Sequence, residues 1–157
     1  MIRNEGGYVL HDVAGDRGGM TYAGIARNMN PQWVGWPLID AKQDVPAQMV
    51  RDFYKAHFWD SIRGDSLQHQ ATATTIFDFH VNTGRPARVL AQIVVGATPD
   101  GQIGPRTVEL LNAFDPEKFV LAYAIAKIAR YRDIVQRNRT QQKFLLGWIN
   151  RTLKGLA

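Results

Sequence analysis

Three residues near the start of the chain, Glu5, Asp16 and Thr21, have side chains suited to acid–base chemistry. A carboxylic acid that stays protonated can donate a proton to a leaving oxygen, and partial burial beside apolar groups keeps such an acid neutral. A second carboxylate and a hydroxyl can position or activate a water molecule. Together the three groups suit attack of water on a glycosidic carbon, with Glu5 as the acid. The ordinary alternatives are a solvated glutamate, a turn-forming aspartate and a threonine in a strand or cap.

Aromatic and amide side chains supply candidates for substrate binding: Tyr8, Tyr22, Trp36 and Asn82. Tyr8 lies one helical turn after the candidate acid and can contribute to its apolar surroundings, and flat aromatic faces can stack on sugar rings. Asn82 lies one helical turn after Asp78, so the two share a helix face that can point into a cleft. The alternative for the aromatics is packing in the core. For Asp78 we favour a hydrogen bond that fixes the helix.

Several other kinds of chemistry are disfavoured. The chain has no cysteine, which excludes disulfides, thiolate metal sites and a cysteine nucleophile. Its four histidines lack the His-Glu-x-x-His spacing of a zinc site, and no glycine-rich phosphate loop is present. We therefore expect no metal and no cofactor, and a zinc amidase is disfavoured.

The net charge of +5 favours an acidic polymer or surface as partner. Nucleic acid is not expected, because no groove-reading element or stacking platform can be identified. Basic residues surround the apolar stripe of the last helix: Arg137, Arg139, Lys143, Arg151 and Lys154. A solvated basic face with the stripe packed inward is favoured over membrane insertion. Such a face can still concentrate the protein on an anionic cell envelope.

The elements that must position these residues are mainly helical. The first forty residues are rich in glycine and aromatic residues, which predicts a short helical turn and then an ordered loop or small hairpin. Apolar spacing and cap residues predict helices after that. Helices are expected to start at Asp44, at Pro86, at Gly104–Pro105, at Asp115, and at Asn138 with Gln141. A further helix is expected over residues 70–82, and the helix that starts at Pro86 is expected to end at Gly96.

Several motifs resemble those of the glycoside hydrolase 108 family. They are Glu-Gly-Gly-Tyr at residues 5–8, Asp-Arg-Gly-Gly-Met-Thr-Tyr-Ala-Gly-Ile at 16–25, and Phe-Asp-Phe-His-Val-Asn-Thr-Gly at 77–84. The second half resembles the helical peptidoglycan-binding region of that family, at 100–107 and 143–151. The motifs occur in the expected order and cover almost the whole chain.

The resemblance implies a mainly α, lysozyme-like fold with a loop-rich catalytic lobe at 1–84 and a helical peptidoglycan-binding lobe at 85–157. It implies an N-acetylmuramidase that cleaves the β-1,4 bond between N-acetylmuramic acid and N-acetylglucosamine in peptidoglycan. Glu5 matches the family's catalytic glutamate, while the roles of Asp16 and Thr21 rest on analogy with other phage lysozymes. The loop proline common after the aspartate is replaced by Arg17, a cation that can favour the ionised form of Asp16.

Three alternatives stay open at this point: a lytic transglycosylase, a non-catalytic wall-binding module, and a cationic membrane-permeabilising protein. The first residues contain no apolar segment of the kind found in signal peptides. With the resemblance to phage endolysins, this predicts a monomer that stays in the host cytoplasm until a holin releases it to the wall.

Overall fold

The computed structural model describes residues 8–11 and 19–156. The predicted helical turn around Glu5 and the loop that carries Asp16 lie outside these residues. The chain divides into two compact units, Met1–His57 and Phe58–Ala157, called here the N-terminal unit and the C-terminal unit. The predicted mainly α fold is confirmed, with seven α-helices and one small sheet in the described residues.

The N-terminal unit contains a three-stranded antiparallel sheet in the order β1 (Leu10–His11), β2 (Thr21–Tyr22) and β3 (Ile25–Ala26). The turn between β2 and β3 consists of Ala23 and Gly24, which both have positive φ, at 48° and 81°. Two-residue hairpin turns of this kind match the twist of the strands they join. The predicted small hairpin is therefore confirmed.

Two helices follow the sheet, α1 (Trp36–Asp40) and α2 (Ala47–Tyr54), and α2 continues into a π-helical segment at Lys55–Trp59. The predicted cap at Asp44 is wrong, because the residue at the cap position is Pro46 and no side chain caps the helix. The buried face of α2 contains Val50, Phe53 and Tyr54. The Tyr54 hydroxyl donates a hydrogen bond of 2.8 Å to the carbonyl oxygen of Ala23, which ties this face to the hairpin turn.

The C-terminal unit begins with short 3-10 turns and then forms five helices. The turns are Asp60–Ile62 and Gly64–Ser66, and a third, Arg139–Gln141, precedes the last helix. The helices are α3 (Gln70–Thr83), α4 (Arg85–Val94), α5 (Pro105–Ala113), α6 (Pro116–Arg137) and α7 (Gln142–Lys154).

Most helix boundaries lie at the glycine and cap residues predicted to form them. Gly84 has a φ of 65° and separates α3 from α4, and Gly96, with a φ of 72°, follows the end of α4. Asp115 caps α6 by accepting the backbone N–H of Lys118 at 2.8 Å. Asn138 also acts as a cap, but it accepts the N–H of Thr140 at the start of a 3-10 turn rather than starting α7 as predicted.

A single core of buried side chains joins the helices of the C-terminal unit. Phe119 stacks on Tyr123 with ring centroids 5.3 Å apart, and the Tyr123 hydroxyl donates to the carbonyl oxygen of Ala87 at 2.9 Å. The remaining buried members are Ile62, Ile76, Phe79, Ala91, Val95, Ile103, Leu111 and Tyr131. The face of α3 that contains Ile76 and Phe79 is therefore part of the same core as α4 and α6.

The apolar stripe predicted for the last helix is only partly buried, and so are some apolar residues of α6. On α6, Ile128 is 37% exposed, and the buried positions include Lys127 instead. On α7, Phe144 and Leu153 are about half exposed, and the one fully buried residue is Thr152. In the part of the chain that the structure describes, no helix has both the length and the apolar character that crossing a membrane requires.

Candidate functional site

Thr21 and Tyr22 are held by the central strand of the small sheet. Thr21 pairs with His11 on one side and Ala26 on the other, and Tyr22 pairs with Leu10 and Ile25. The half-buried Thr21 hydroxyl donates to the carbonyl oxygen of Gly19 at 3.1 Å. Since its hydrogen is used in this bond, the hydroxyl oxygen keeps lone pairs with which it can accept a hydrogen bond from water or a sugar hydroxyl.

Tyr22 belongs to a group of packed aromatic rings in the N-terminal unit. Its ring stacks on Trp33 with centroids 6.0 Å apart, and Trp33 meets Trp36 and Phe53 edge to face. Partial burial is the largest cause of the raised pKa of Tyr22, and nearby Tyr8 adds to it. Tyr22 therefore stays a neutral hydroxyl that can donate a hydrogen bond at neutral pH.

The other two aromatic candidates differ in exposure. Tyr8 is 43% exposed, so its ring is accessible to a ligand. Trp36 is only 2% exposed, its indole N–H donates to the carbonyl oxygen of Asn30 at 2.8 Å, and the Arg27 guanidinium lies 5.2 Å from its ring centre. Trp36 is thus a core residue of the N-terminal unit. Its ring has no exposed face on which a sugar could stack as predicted.

Arg27 is fixed in place by Asp40. Two short hydrogen bonds of 2.6 and 2.7 Å join the guanidinium to both carboxylate oxygens, and they lower the pKa of the Asp40 carboxyl. This pair stabilises the end of α1 against β3. It is a structural contact rather than a source of acid–base chemistry, because both groups stay charged.

Glu5 and Asp16, the two predicted carboxylates of the catalytic set, lie outside the described residues. Their roles stay predictions, as does the role of Thr21. In the described residues no group of histidine and acidic side chains is arranged to hold a metal ion.

A second candidate site is a cavity of about 250 Å³ in the C-terminal unit. It is formed by α3, α6 and α7, and it includes the predicted binding residue Asn82. The lining residues are Asp78, Phe79, Asn82, Thr83, Lys127, Arg130, Tyr131, Ile134, Trp148, Arg151 and Thr152.

Charged side chains dominate one part of this cavity. Arg151 contacts both carboxylate oxygens of Asp78, at 3.2 and 3.4 Å, and so joins α7 to α3. The predicted role of Asp78 as a residue that fixes its helix is compatible with this ion pair. Arg151, predicted as part of a solvated basic face, instead lies partly buried against the cavity.

Lys127 is the most deeply buried of the cations. Its ammonium group donates to the Thr75 hydroxyl at 3.1 Å and lies 4.7 Å from the ring centre of Tyr123 and 5.2 Å from that of Phe79. Desolvation lowers the pKa of Lys127 to about 8, and the charge of Asp78 opposes this shift. The side chain is therefore still mostly protonated at neutral pH.

The cavity cations Lys127, Arg130 and Arg151 were not identified from the sequence as a binding group. Lys127 and Arg151 have partners on α3 that are far away in the chain, so the spacing of residues gives no signal for them. The position of Asn82 on a helix face shared with Asp78 was the one feature that pointed to this cavity.

Comparison with protein families and solved structures gives three findings. Residues 1–84 match the model of a family described as glycosyl hydrolase 108, and residues 85–153 match one described as a predicted peptidoglycan domain. A solved structure described as "Structure of Brucella abortus SagA" is 24% identical, with a TM-score of 0.74, over 99% of this chain and 86% of that one. No curated protein matches the sequence.

The fold and these matches define a glycoside hydrolase that is followed by a peptidoglycan domain, with a function related to peptidoglycan hydrolysis. The chain belongs to the glycosyl hydrolase 108 family. The family resemblance predicted from the motifs is therefore confirmed, and peptidoglycan is its substrate or partner.

Proposed function

We propose that the protein is an N-acetylmuramidase that hydrolyses the β-1,4 bond between N-acetylmuramic acid and N-acetylglucosamine. The observation that carries the proposal is the family match over residues 1–84, which contain Glu5, Asp16 and Thr21. In this proposal Glu5 donates a proton to the bridging oxygen, and Asp16 with Thr21 positions the attacking water.

The arrangement around Thr21 supports this division of roles. Pairing with β1 and β3 fixes the backbone of Thr21 on both sides. The Thr21 hydroxyl oxygen has lone pairs left to accept a hydrogen bond. Tyr22, next in sequence, presents a neutral hydroxyl, and the accessible ring of Tyr8 is suited to contact with a sugar. A hydroxyl that can accept a hydrogen bond suits a bound water, and an accessible aromatic ring suits contact with a sugar.

Fragment analysis of purified peptidoglycan tests the proposal. The wild-type protein should release fragments with a reducing N-acetylmuramic acid end, measured by mass spectrometry. Glu5→Gln should lower the rate by at least about a hundredfold, because an amide is too weak an acid to protonate the leaving oxygen and general acid catalysis contributes factors of this size.

Glu109→Gln is the matched control, since Glu109 is an exposed glutamate on α5 that pairs with Arg106. This variant should keep wild-type activity. Fragments that end in a 1,6-anhydro ring would identify a lytic transglycosylase instead. Full activity in a folded Glu5→Gln variant would remove Glu5 from the mechanism.

The role as a bacteriophage endolysin that waits in the host cytoplasm is a further part of the proposal, and it rests on the resemblance of the motifs. Expression in a bacterial host tests it. Lysis should require a co-expressed holin, and rapid lysis without one would contradict this route of release.

A further inference from the structure

We propose that the cavity between α3, α6 and α7 binds a carboxylate of the peptide stem of peptidoglycan. The inference rests on the proposed function only for the identity of the polymer. The cavity is formed entirely by residues of the C-terminal unit, whereas Glu5, Asp16 and Thr21 belong to the N-terminal unit.

The volume of the cavity limits what it can hold. Pockets that enclose a complete drug-sized ligand usually have volumes of about 300–1,000 Å³, and this cavity is smaller, at about 250 Å³. It is therefore suited to one group of a larger molecule, such as the end of a short peptide branch.

The charges of the lining favour an anion. Three cationic side chains, Lys127, Arg130 and Arg151, line the cavity with a single carboxylate, Asp78. Asp78 is engaged by Arg151, so Lys127 and Arg130 supply positive charge that no other lining carboxylate balances. A bound carboxylate would balance part of that charge in partly desolvated surroundings, where ionic hydrogen bonds are strong.

One hydrogen-bond donor beside the cavity is unused. The Nε atom of Arg130 is buried and has no hydrogen-bond partner within the described part of the chain. A buried donor without an acceptor is unfavourable. Arg130 lines the cavity, so a carboxylate bound there lies beside the side chain that carries this donor.

The remaining lining residues suit a peptide better than a free inorganic anion. The Asn82 side chain donates to the carbonyl oxygen of Asp78 at 2.6 Å, which leaves its own amide oxygen to accept a peptide N–H. Tyr131 and Trp148, with ring centroids 5.2 Å apart, give an apolar wall for a small aliphatic side chain. A stem peptide combines a carboxylate, amide groups and short aliphatic side chains.

Titration of the full chain with a free stem peptide tests the inference. The probe is the tripeptide L-Ala-γ-D-Glu-meso-diaminopimelate without sugar, and binding is followed by NMR on the indole N–H of Trp148. The wild-type protein should bind the tripeptide and should bind its fully amidated form at least about tenfold more weakly, because the amidated form has no carboxylate. Equal binding of the two forms would overturn the inference.

Arg130→Gln should weaken binding of the tripeptide about tenfold, whereas Arg132→Gln should leave it unchanged. Arg132 lies on the same helix but is exposed and pairs with Asp133. Asn82→Ala, an exposed position on α3, is a second variant that should weaken binding severalfold if Arg130→Gln unfolds the protein. Unchanged binding in both folded cavity variants would overturn the inference.

Two further measurements separate this site from its alternatives. Inorganic phosphate that binds as tightly as the tripeptide would show an anion site without peptide recognition and would overturn the inference. Because the tripeptide has no glycosidic bond, its binding is independent of hydrolysis. Binding without release of wall fragments would defeat the proposed function alone, and hydrolysis without peptide binding would defeat this inference alone.

Discussion

His80 is a buried titratable side chain near the C-terminal end of α3. Its Nδ1 atom lies 2.8 Å from the carbonyl oxygen of Gly84, and its Nε2 atom lies 2.7 Å from the Ser61 hydroxyl. The first contact requires a proton on Nδ1. The Ser61 hydroxyl has one hydrogen, which it can donate either to the carbonyl oxygen of Phe58, 2.8 Å away, or to Nε2 of the neutral ring. Burial lowers the pKa of His80 more than the Gly84 contact raises it. The folded protein therefore holds this histidine in its neutral form.

This lowered pKa predicts a loss of stability in mild acid. The unfolded chain binds a proton on His80 near pH 6.5, whereas the folded chain binds it only at lower pH, so unfolding takes up a proton in between. The free energy of unfolding should fall as the pH drops through and below 6.5. Urea unfolding at a series of pH values measures this, and His80→Gln should show a weaker dependence over the same range. An identical dependence in both proteins would remove His80 as the cause.

The residues of the candidate sites were predictable only where the sequence pattern is local. Asn82 was identified because it shares a helix face with Asp78, and Thr21 because of its motif. Lys127 was missed beside the apolar Ile128, although the long aliphatic part of lysine can lie in a core while its ammonium group finds partners. Those partners, such as Thr75, are 52 positions away in the chain and are brought close only by the fold.

At the scale of elements, the segment between the π-helical turn and α3 depends on a glycine. A Cβ atom added at Gly64 would overlap the indole of Trp59, whose N–H donates to the Asp65 carboxylate at 2.7 Å. The indole lies against the Gly64 backbone, edge to face with Phe77 of α3. The absence of a side chain at Gly64 is therefore what allows this packing.

Gly64→Ala should destabilise the protein by about 1–3 kcal/mol, the usual cost of adding a methyl group to a packed site. Gly147→Ala is a matched control, because Gly147 lies inside α7 and an added Cβ there meets no atom within 4 Å. That change should stabilise the helix by up to about 1 kcal/mol. Thermal unfolding followed by circular dichroism measures both. A Gly64→Ala variant as stable as the wild type would contradict the packing described here.

The elements were predictable where a local hydrogen bond or a fixed backbone angle defines their ends. Asp115 caps α6 as expected, and Gly84 with Pro86 separates α3 from α4. The cap at Asp44 failed because Pro46 disfavours a helical backbone at Val45, so the helix does not begin directly after Asp44. Asp115 differs because its proline, Pro116, follows directly and takes the first position of α6.

At the scale of the whole molecule, the family models and the packing divide the chain at different points. The two family models meet between residues 84 and 85, whereas the compact units meet between His57 and Phe58. The lobe boundary expected at 84/85 coincides with a helix break at Gly84. A glycine with positive φ ends a helix, but it does not end a hydrophobic core, and the core continues across this position.

This difference predicts how fragments of the chain fold. A fragment of residues 58–157 contains every residue of the core, including Ile62, Ile76 and Phe79. A fragment of residues 85–157 lacks those three and leaves the faces of Tyr123 and Tyr131 that contact Phe79 exposed to water. Burial of each large side chain of this kind contributes about 1.5–3 kcal/mol to the free energy of unfolding. The total free energy of unfolding of a domain is only about 5–15 kcal/mol.

We therefore expect the longer fragment to unfold in one cooperative transition and the shorter one to lack such a transition. Urea unfolding followed by both circular dichroism and tryptophan fluorescence measures this, since coincident curves indicate a single cooperative unit. Ile76→Ala in the longer fragment is the control, because it removes part of the same contact without shortening the chain and should lower the midpoint. Cooperative unfolding of residues 85–157 at the same midpoint as residues 58–157 would show that α3 adds nothing to the core that α4 and α6 share.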